Sequence, residues 1–152
     1  MIPEKVRQVL DRHGLTPLEF EAGSTPTSES AAARIGVRVG QIAKSILLCG
    51  KDKQFRLAVM PGDRKISSAR FKKITGVKHR MASEEETLEQ TGFRVGGVCP
   101  FGVEGLEVYI DQGLQEFDLI YPAAGNDASG VPIRFEQLVE ITGGQVCNIA
   151  QD

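Results

Sequence analysis

GQIAKSILLCG, Gly40 to Gly50, is an apolar run closed by a glycine at each end and interrupted by one charge, Lys44. A short apolar run between turn formers favours a strand buried on at least one face over a helix. Alternation then puts Lys44 on the same side as Ile42, Ile46 and Leu48. An ammonium drawn into apolar surroundings is costly unless its pKa shifts, a counter-charge pairs with it, or the site opens to a ligand. The plain alternative is a lysine near the start of a strand, its methylenes covering apolar surface while the head reaches water. The strand pattern by itself favours that plainer account, so the choice falls to the remainder of the chain.

Outward from this strand, QFRLAVM (54–60) predicts a second one, with Phe55, Leu57 and Val59 on one face and PGD as the turn that follows. On the other side, Thr27 or Ser28 can cap a helix through SESAAARIG that Gly36 ends. Pro3, Val6, Val9, Leu10 and Gly14 describe a first amphipathic helix, and LTPLEFEAG reads as extended. Further along, Ser67 to Ile74 predicts a helix closed by Gly76, VKHRM a short strand, and SEEETLEQTG a helix with a Ser83/Glu86 capping box. LEVYI, EFDLIYPAAG and GVPIRF read as strands, FEQLVEITGG as a short helix and QVCNIA as a last strand. The helices lie among strands too closely spaced for repeated βαβ units. The expected fold is α+β: a mixed, mostly antiparallel sheet or partial barrel with flanking helices, as one domain over 1–152.

A chain of 152 residues can bury a substantial core without metals or disulfides. Its formal charge of -2 argues against holding nucleic acid by bulk positive charge, though not against a local patch. Cys49, Cys99 and Cys147 are odd in number and outside any CxxC spacing, which points away from a disulfide framework or a zinc site and towards a reducing cytoplasm. No His/Asp/Glu cluster has metal-ligand spacing, and no cofactor fingerprint is present. MIPEKVRQVLDRHG is charged throughout, so neither a signal peptide nor a membrane anchor is expected.

Three more stretches bear on chemistry. TGFRVGGVCPFGVEG (91–105) is too rich in glycine for regular structure; Gly96 and Gly97 allow positive φ or close approach to a ligand, and Pro100 stiffens the exit. Its successive N–H groups are candidates for stabilising an oxyanion, a common glycine turn being the alternative. YPAAGNDASG (121–130) suits a tight turn that can also line a pocket. The tract 64–80 has seven Lys or Arg and no acid, which makes Arg64, Lys65, Lys72 and Lys73 candidate phosphate contacts on a face that would otherwise be merely solvated. With only His13 and His79 in the chain, a serine or cysteine triad has few possible bases.

Taken in order, TPTSESAAARIGVRVGQIAKSILLCG, VMPGDRKIS, TGFRVGGVCPFG and AAGNDASGVPI before FEQLVEITGG resemble the YbaK/EbsC family, free-standing relatives of the prolyl-tRNA synthetase editing domain. The resemblance runs from about Leu15 to Ile149. It implies a deacylase acting in trans on mischarged aminoacyl-tRNA, with Lys44 matching the family's essential lysine and Gly96, Gly97 and Pro100 its substrate-binding loop. Phe20, Val98, Gly102, Gly125 and Asn126 complete the substrate-binding set carried by the resemblance. Asn126 and Asp127 stand where members often carry basic or histidine residues, and Phe20 where some have tyrosine. The implied partner is mischarged tRNA, probed as a prolyl acceptor first, with a synthetase as a second candidate partner. The attacking group is left among water, the adenosine's neighbouring hydroxyl and the substrate's own side chain. Two other readings stand beside this one: a non-catalytic tRNA or nucleotide binding module with the same pocket, and a thiol hydrolase using Cys99.

Overall fold

The computed structural model describes all 152 residues. Its centre is an antiparallel hairpin of β2 (Ala43–Gly50) and β3 (Phe55–Pro61), in which Lys44 stands opposite Met60 and Ile46 opposite Ala58. β4 (His79–Met81) adds antiparallel to the end of β2, while β5 (Glu107–Asp111) and β7 (Gln145–Cys147) extend the sheet parallel to β3. The order is β4-β2-β3-β5-β7, and a separate pair joins β1 (Leu18–Glu19) to β6 (Ser129–Gly130). The sheet is therefore mixed, as expected. The antiparallel part comes from short connections, and the parallel part from crossovers that carry helices.

Five helices flank this sheet: α1 (Glu4–Arg12), α2 (Ser28–Ile35), α3 (Ser68–Thr75), α4 (Glu84–Thr91) and α5 (Phe135–Thr142). Their ends follow local chemistry. Thr27, Ser67 and Ser83 accept a backbone N–H at the starts of α2, α3 and α4, and Gly36, Gly76 and Gly92 adopt the left-handed conformation just past their ends. Both faces of the hairpin are buried. Leu47, Leu57 and Val59 pack with Val6 and Leu10 of α1 and Leu138 of α5, whereas Leu48, Ala58 and Met60 pack with Phe71 of α3 and Ile149.

Two segments read as strands take another form. EFDLIYPAAG and GVPIRF bridge each other only at Ile120 and Ile133, Tyr121 bridges Ile42 instead, only Gly130 of GVPIRF belongs to a strand, β6, and a 3₁₀ turn occupies Gln112–Glu116. Pro122 and Pro132 lack the N–H that a continuing ladder needs. Asp111, buried at the end of β5, turns the chain by accepting N–H groups from Gly113, Ile149 and Ala150 at 2.9–3.0 Å. LTPLEFEAG likewise shrinks to the two residues of β1. No helix is long and apolar enough to cross a membrane.

Leu57 is wholly buried in the central strand. Leu57→Ala should lower unfolding stability by about 2–5 kcal/mol, read as a shift in the urea midpoint at unchanged slope.

Candidate active site

β2 is paired with β3 along nearly its whole length, but β4 meets only Leu48–Gly50 on its other side. From Ala43 to Ile46 that second edge carries no strand; Tyr121 touches it at one end, where its carbonyl accepts the Ala43 N–H at 3.1 Å. A cavity of about 230 Å³ occupies the open edge. Lys44, Ser45 and Ile46 form its floor, Thr25 to Ser28 and Ile35 one wall, Gly96 and Val98 another.

Lys44 is half-buried, and its ammonium donates to the Gly62 carbonyl at 3.5 Å. Burial holds its pKa below the ordinary lysine range; Glu29 and Asp63 pull it back up, and Lys65 pushes it down. The charge is thus compensated from a distance rather than by a contact ion pair, which leaves it available to an incoming anion or dipole. Gly62 belongs to the turn after β3 and sits too close to Val39 O and Ser28 Cβ for any side chain, at 2.5 and 2.8 Å from an added Cβ. That close fit brings its carbonyl to Lys44. In the sequence PGD reads as a turn within VMPGDRKIS, one of the stretches that carry the family resemblance, but Gly62 itself was not among the expected site residues.

The glycine loop divides its labour differently from expectation. Gly96 has φ +97° and approaches Pro26 across the cavity. Gly97 has no positive φ; it is glycine because an added Cβ would stand 2.7 Å from Asn126 Cα. Its N–H is also spent, donating to Arg94 O at 3.0 Å, so Gly97 is not an oxyanion donor. The N–H groups of Gly96 and Val98 donate to nothing within the chain, and both residues line the cavity. Asn126 acts from behind. Its Oδ1 accepts from Ala128 N at 3.0 Å and from Ser129 Oγ at 2.7 Å, and Ser129 N donates to Thr25 Oγ1 at 3.2 Å, tying 121–130 to the cavity wall.

The structure therefore brings Lys44, Gly96 and Val98 together and leaves the other expected substrate contacts outside this lining. Phe20 lies under the Arg34 guanidinium, 4.4 Å from ring centre to Cζ, with its N–H donating to Ala128 O. Pro100 and Gly102 line a second depression beside Val9 and Arg12 of α1. Gly125, at φ +91°, packs on Pro3 and Phe93. Tyr121, Ala123 and Ser129 of the 121–130 stretch line the cavity, as that stretch was expected to be able to do, whereas Thr25 and Ser45 are lining residues not singled out in the sequence, although Ser45 carries a signal: a second polar residue beside Lys44 in an otherwise apolar strand.

A match to the model of the aminoacyl-tRNA editing domain spans residues 22–141. The chain belongs to the aminoacyl-tRNA editing domain family. It is 42% identical over 129 residues to the uncharacterized protein YwhH of Bacillus subtilis, covering 84% of this chain and 82% of that protein. It is 24% identical over 147 residues to EbsC of Enterococcus faecalis, named as a proposed Cys-tRNA(Pro)/Cys-tRNA(Cys) deacylase, covering 93% and 90%. Among solved structures, a proposed trans-editing enzyme for prolyl-tRNA synthetase superposes with a TM-score of 0.89 at 29% identity over the full length of both chains.

For this editing domain the thiol alternative fails on geometry. Cys99 is fully buried, its Sγ directed at Phe101 O, and burial pushes its pKa up to about 12, so neither access nor a thiolate is available. In the basic tract, Arg70 and Arg80 are engaged by Asp152 and Glu86, while Arg64, Lys65, Lys72 and Lys73 are exposed and outside every ion pair. Of these four, Lys65 is near enough to push the Lys44 pKa down.

Two outcomes follow. Since the folded-state pKa of Lys44 lies below its unfolded value, the unfolded chain holds more protons between the two, and the wild type gains stability as pH rises through that interval. Lys44→Met should therefore match or exceed the wild-type Tm at neutral pH, with the advantage shrinking towards pH ~10.5. Gly97→Ala should force the loop off Asn126 and cost about 1–3 kcal/mol by thermal or urea unfolding.

Proposed function

We propose that the Lys44 cavity is the hydrolytic centre of this enzyme. The chain is an aminoacyl-tRNA hydrolase of the trans-editing type, and it cleaves the ester between a wrong amino acid and its tRNA. The observation that supports siting this reaction at the open edge of β2 is that one cavity is lined by an under-solvated lysine and by two loop residues whose N–H groups have no partner in the chain.

Ester hydrolysis builds negative charge on the carbonyl oxygen as the tetrahedral intermediate forms. Donors fixed in a water-poor cavity stabilise that charge without first having to reorganise. Gly96 and Val98 N–H are the donors in this account. Lys44 holds the ester or the neighbouring phosphate of the terminal adenosine, where its weak solvation strengthens the attraction. No histidine, cysteine or carboxylate lines the cavity. The nucleophile therefore comes from solvent or from the substrate itself, and catalysis rests on positioning and electrostatics.

The exposed, unpaired Arg64, Lys65, Lys72 and Lys73 form the tRNA-facing surface in this reading, contacting phosphates and carrying no base identity. A tRNA(Pro)-type acceptor is the favoured substrate, supported by the names of EbsC and of the superposed trans-editing structure.

The test is hydrolysis of a panel of tRNA(Pro) and tRNA(Cys) species charged with cysteine, alanine, serine or proline. At least one mischarged species should be cleaved faster than its correctly charged counterpart. Binding without turnover on every species would leave only a tRNA-binding module. In the same system, Lys72→Glu with Lys73→Glu should weaken tRNA binding similarly across sequences and flatten the slope of log K against log salt by about two.

A further inference from the structure

Ile42 and the first four residues of β2 line the cavity without a gap. Side chains of a strand alternate between its faces, so an unbroken run borders one space only along the strand's edge, through its main chain. The direction of each main-chain group follows from the bonds around it. Gly50 N–H donates to Gln54 O on the β3 side, while Ala43 N–H donates to Tyr121 O and Leu47 O accepts from Ala82 N–H on the other. Alternate residues of an antiparallel strand point their N–H and C=O groups the same way, so Ser45, between Ala43 and Leu47, turns both of its groups away from β3. β4 reaches only Leu48–Gly50, and neither group of Ser45 finds a partner. The residue is partly exposed although its hydroxyl is shut off from solvent, so what it shows the cavity is Cβ and main chain. The gap is one residue long. Ala43 and Leu47, the next residues facing this way, are buried and already engaged by Tyr121 and Ala82.

We propose that this edge seats the aminoacyl group of the substrate as a strand one residue long: the α-amino group donates to Ser45 C=O, and the ester carbonyl accepts from Ser45 N–H. This deepens the hydrolytic reading of the Lys44 cavity and rests on it. An aminoacyl ester carries the pattern that the edge lacks, an N–H donor and a carbonyl acceptor on either side of one carbon, which is how a residue in an antiparallel sheet satisfies the residue opposite. Unpaired strand edges are templates for such pairing, and main-chain bonds of this kind hold a ligand whatever its side chain. No carboxylate lines the cavity to take the α-amino group instead. In the antiparallel direction an extension from the α-nitrogen runs towards Leu47, where Ala82 already holds the edge. The seat therefore requires a free α-amino group and excludes a peptidyl or N-acylated ester.

The probes are acceptor-stem minihelices ending in an amide-linked alanyl, N-acetylalanyl or propionyl group, none of which can be cleaved as an ester; propionyl is alanyl without its α-amino group. Affinity is titrated, and amide hydrogen exchange is followed by NMR. In the free protein the Ser45 amide should exchange at least about tenfold faster than that of Ile46, which faces β3. Saturation with the alanyl probe should slow Ser45 exchange at least about tenfold, and the other two probes should bind at least about fivefold more weakly. A Ser45 amide already protected in the free protein, one indifferent to the alanyl probe, or an alanyl probe bound no more tightly than either of the others overturns the proposal. The two readings fail separately. Protection of Ser45 by the alanyl probe with no ester cleaved in the tRNA panel removes the hydrolytic reading alone, whereas cleavage with a Ser45 amide indifferent to the alanyl probe removes only the seat.

Discussion

Strand β2 is paired along one side and only over its last three residues on the other, and the site depends on this asymmetry. Had β4 run the full length of β2, the edge at Lys44 would be covered and its ammonium would have to leave or be neutralised. The short β4 instead leaves a gap that the first turn of α2 and the glycine loop wall in without filling. Desolvation of Lys44 follows from those walls, and the Gly62 carbonyl with distant Glu29 and Asp63 keeps the penalty tolerable. A contact ion pair would stabilise the charge more and leave it less to offer a substrate.

Glycine serves this construction in two distinct ways. At Gly96 the backbone needs a left-handed conformation; at Gly62 and Gly97 it needs the absence of a side chain, since other backbone passes within van der Waals contact. The loop at 91–105 is consequently clamped on the segment 121–130, and that segment is tied to Thr25 through Ser129. Three parts of the chain far apart in sequence thus set the shape of one cavity.

Much of this was legible beforehand because it is local. The caps at Thr27 and Ser83, the glycines that end α2 and α3, and the alternation in β2 and β3 depend on neighbours a few residues away. The isolation of Lys44 in an apolar run was visible for the same reason. What the sequence could not display is long-range. That Gly97 answers to Asn126, that Phe20 stacks on Arg34 rather than on the cavity, and that Pro100 and Gly102 face α1 are consequences of packing. The apolar stretches around Ile120 and Ile133 looked like strands because burial and β-propensity agree there, yet Pro122 and Pro132 and the turn organised by Asp111 reduce them to bridges.

The central claim is that an under-solvated Lys44 at the open edge of β2 drives ester hydrolysis. It is tested most directly by the single-turnover deacylation rate of Lys44→Ala on a tRNA that the wild type cleaves, with tRNA affinity measured in parallel. The account predicts a rate at least about a hundredfold lower with affinity little changed, because the charge acts at the ester while phosphate contacts elsewhere hold the tRNA. A folded Lys44→Ala protein that deacylates at the wild-type rate would contradict it.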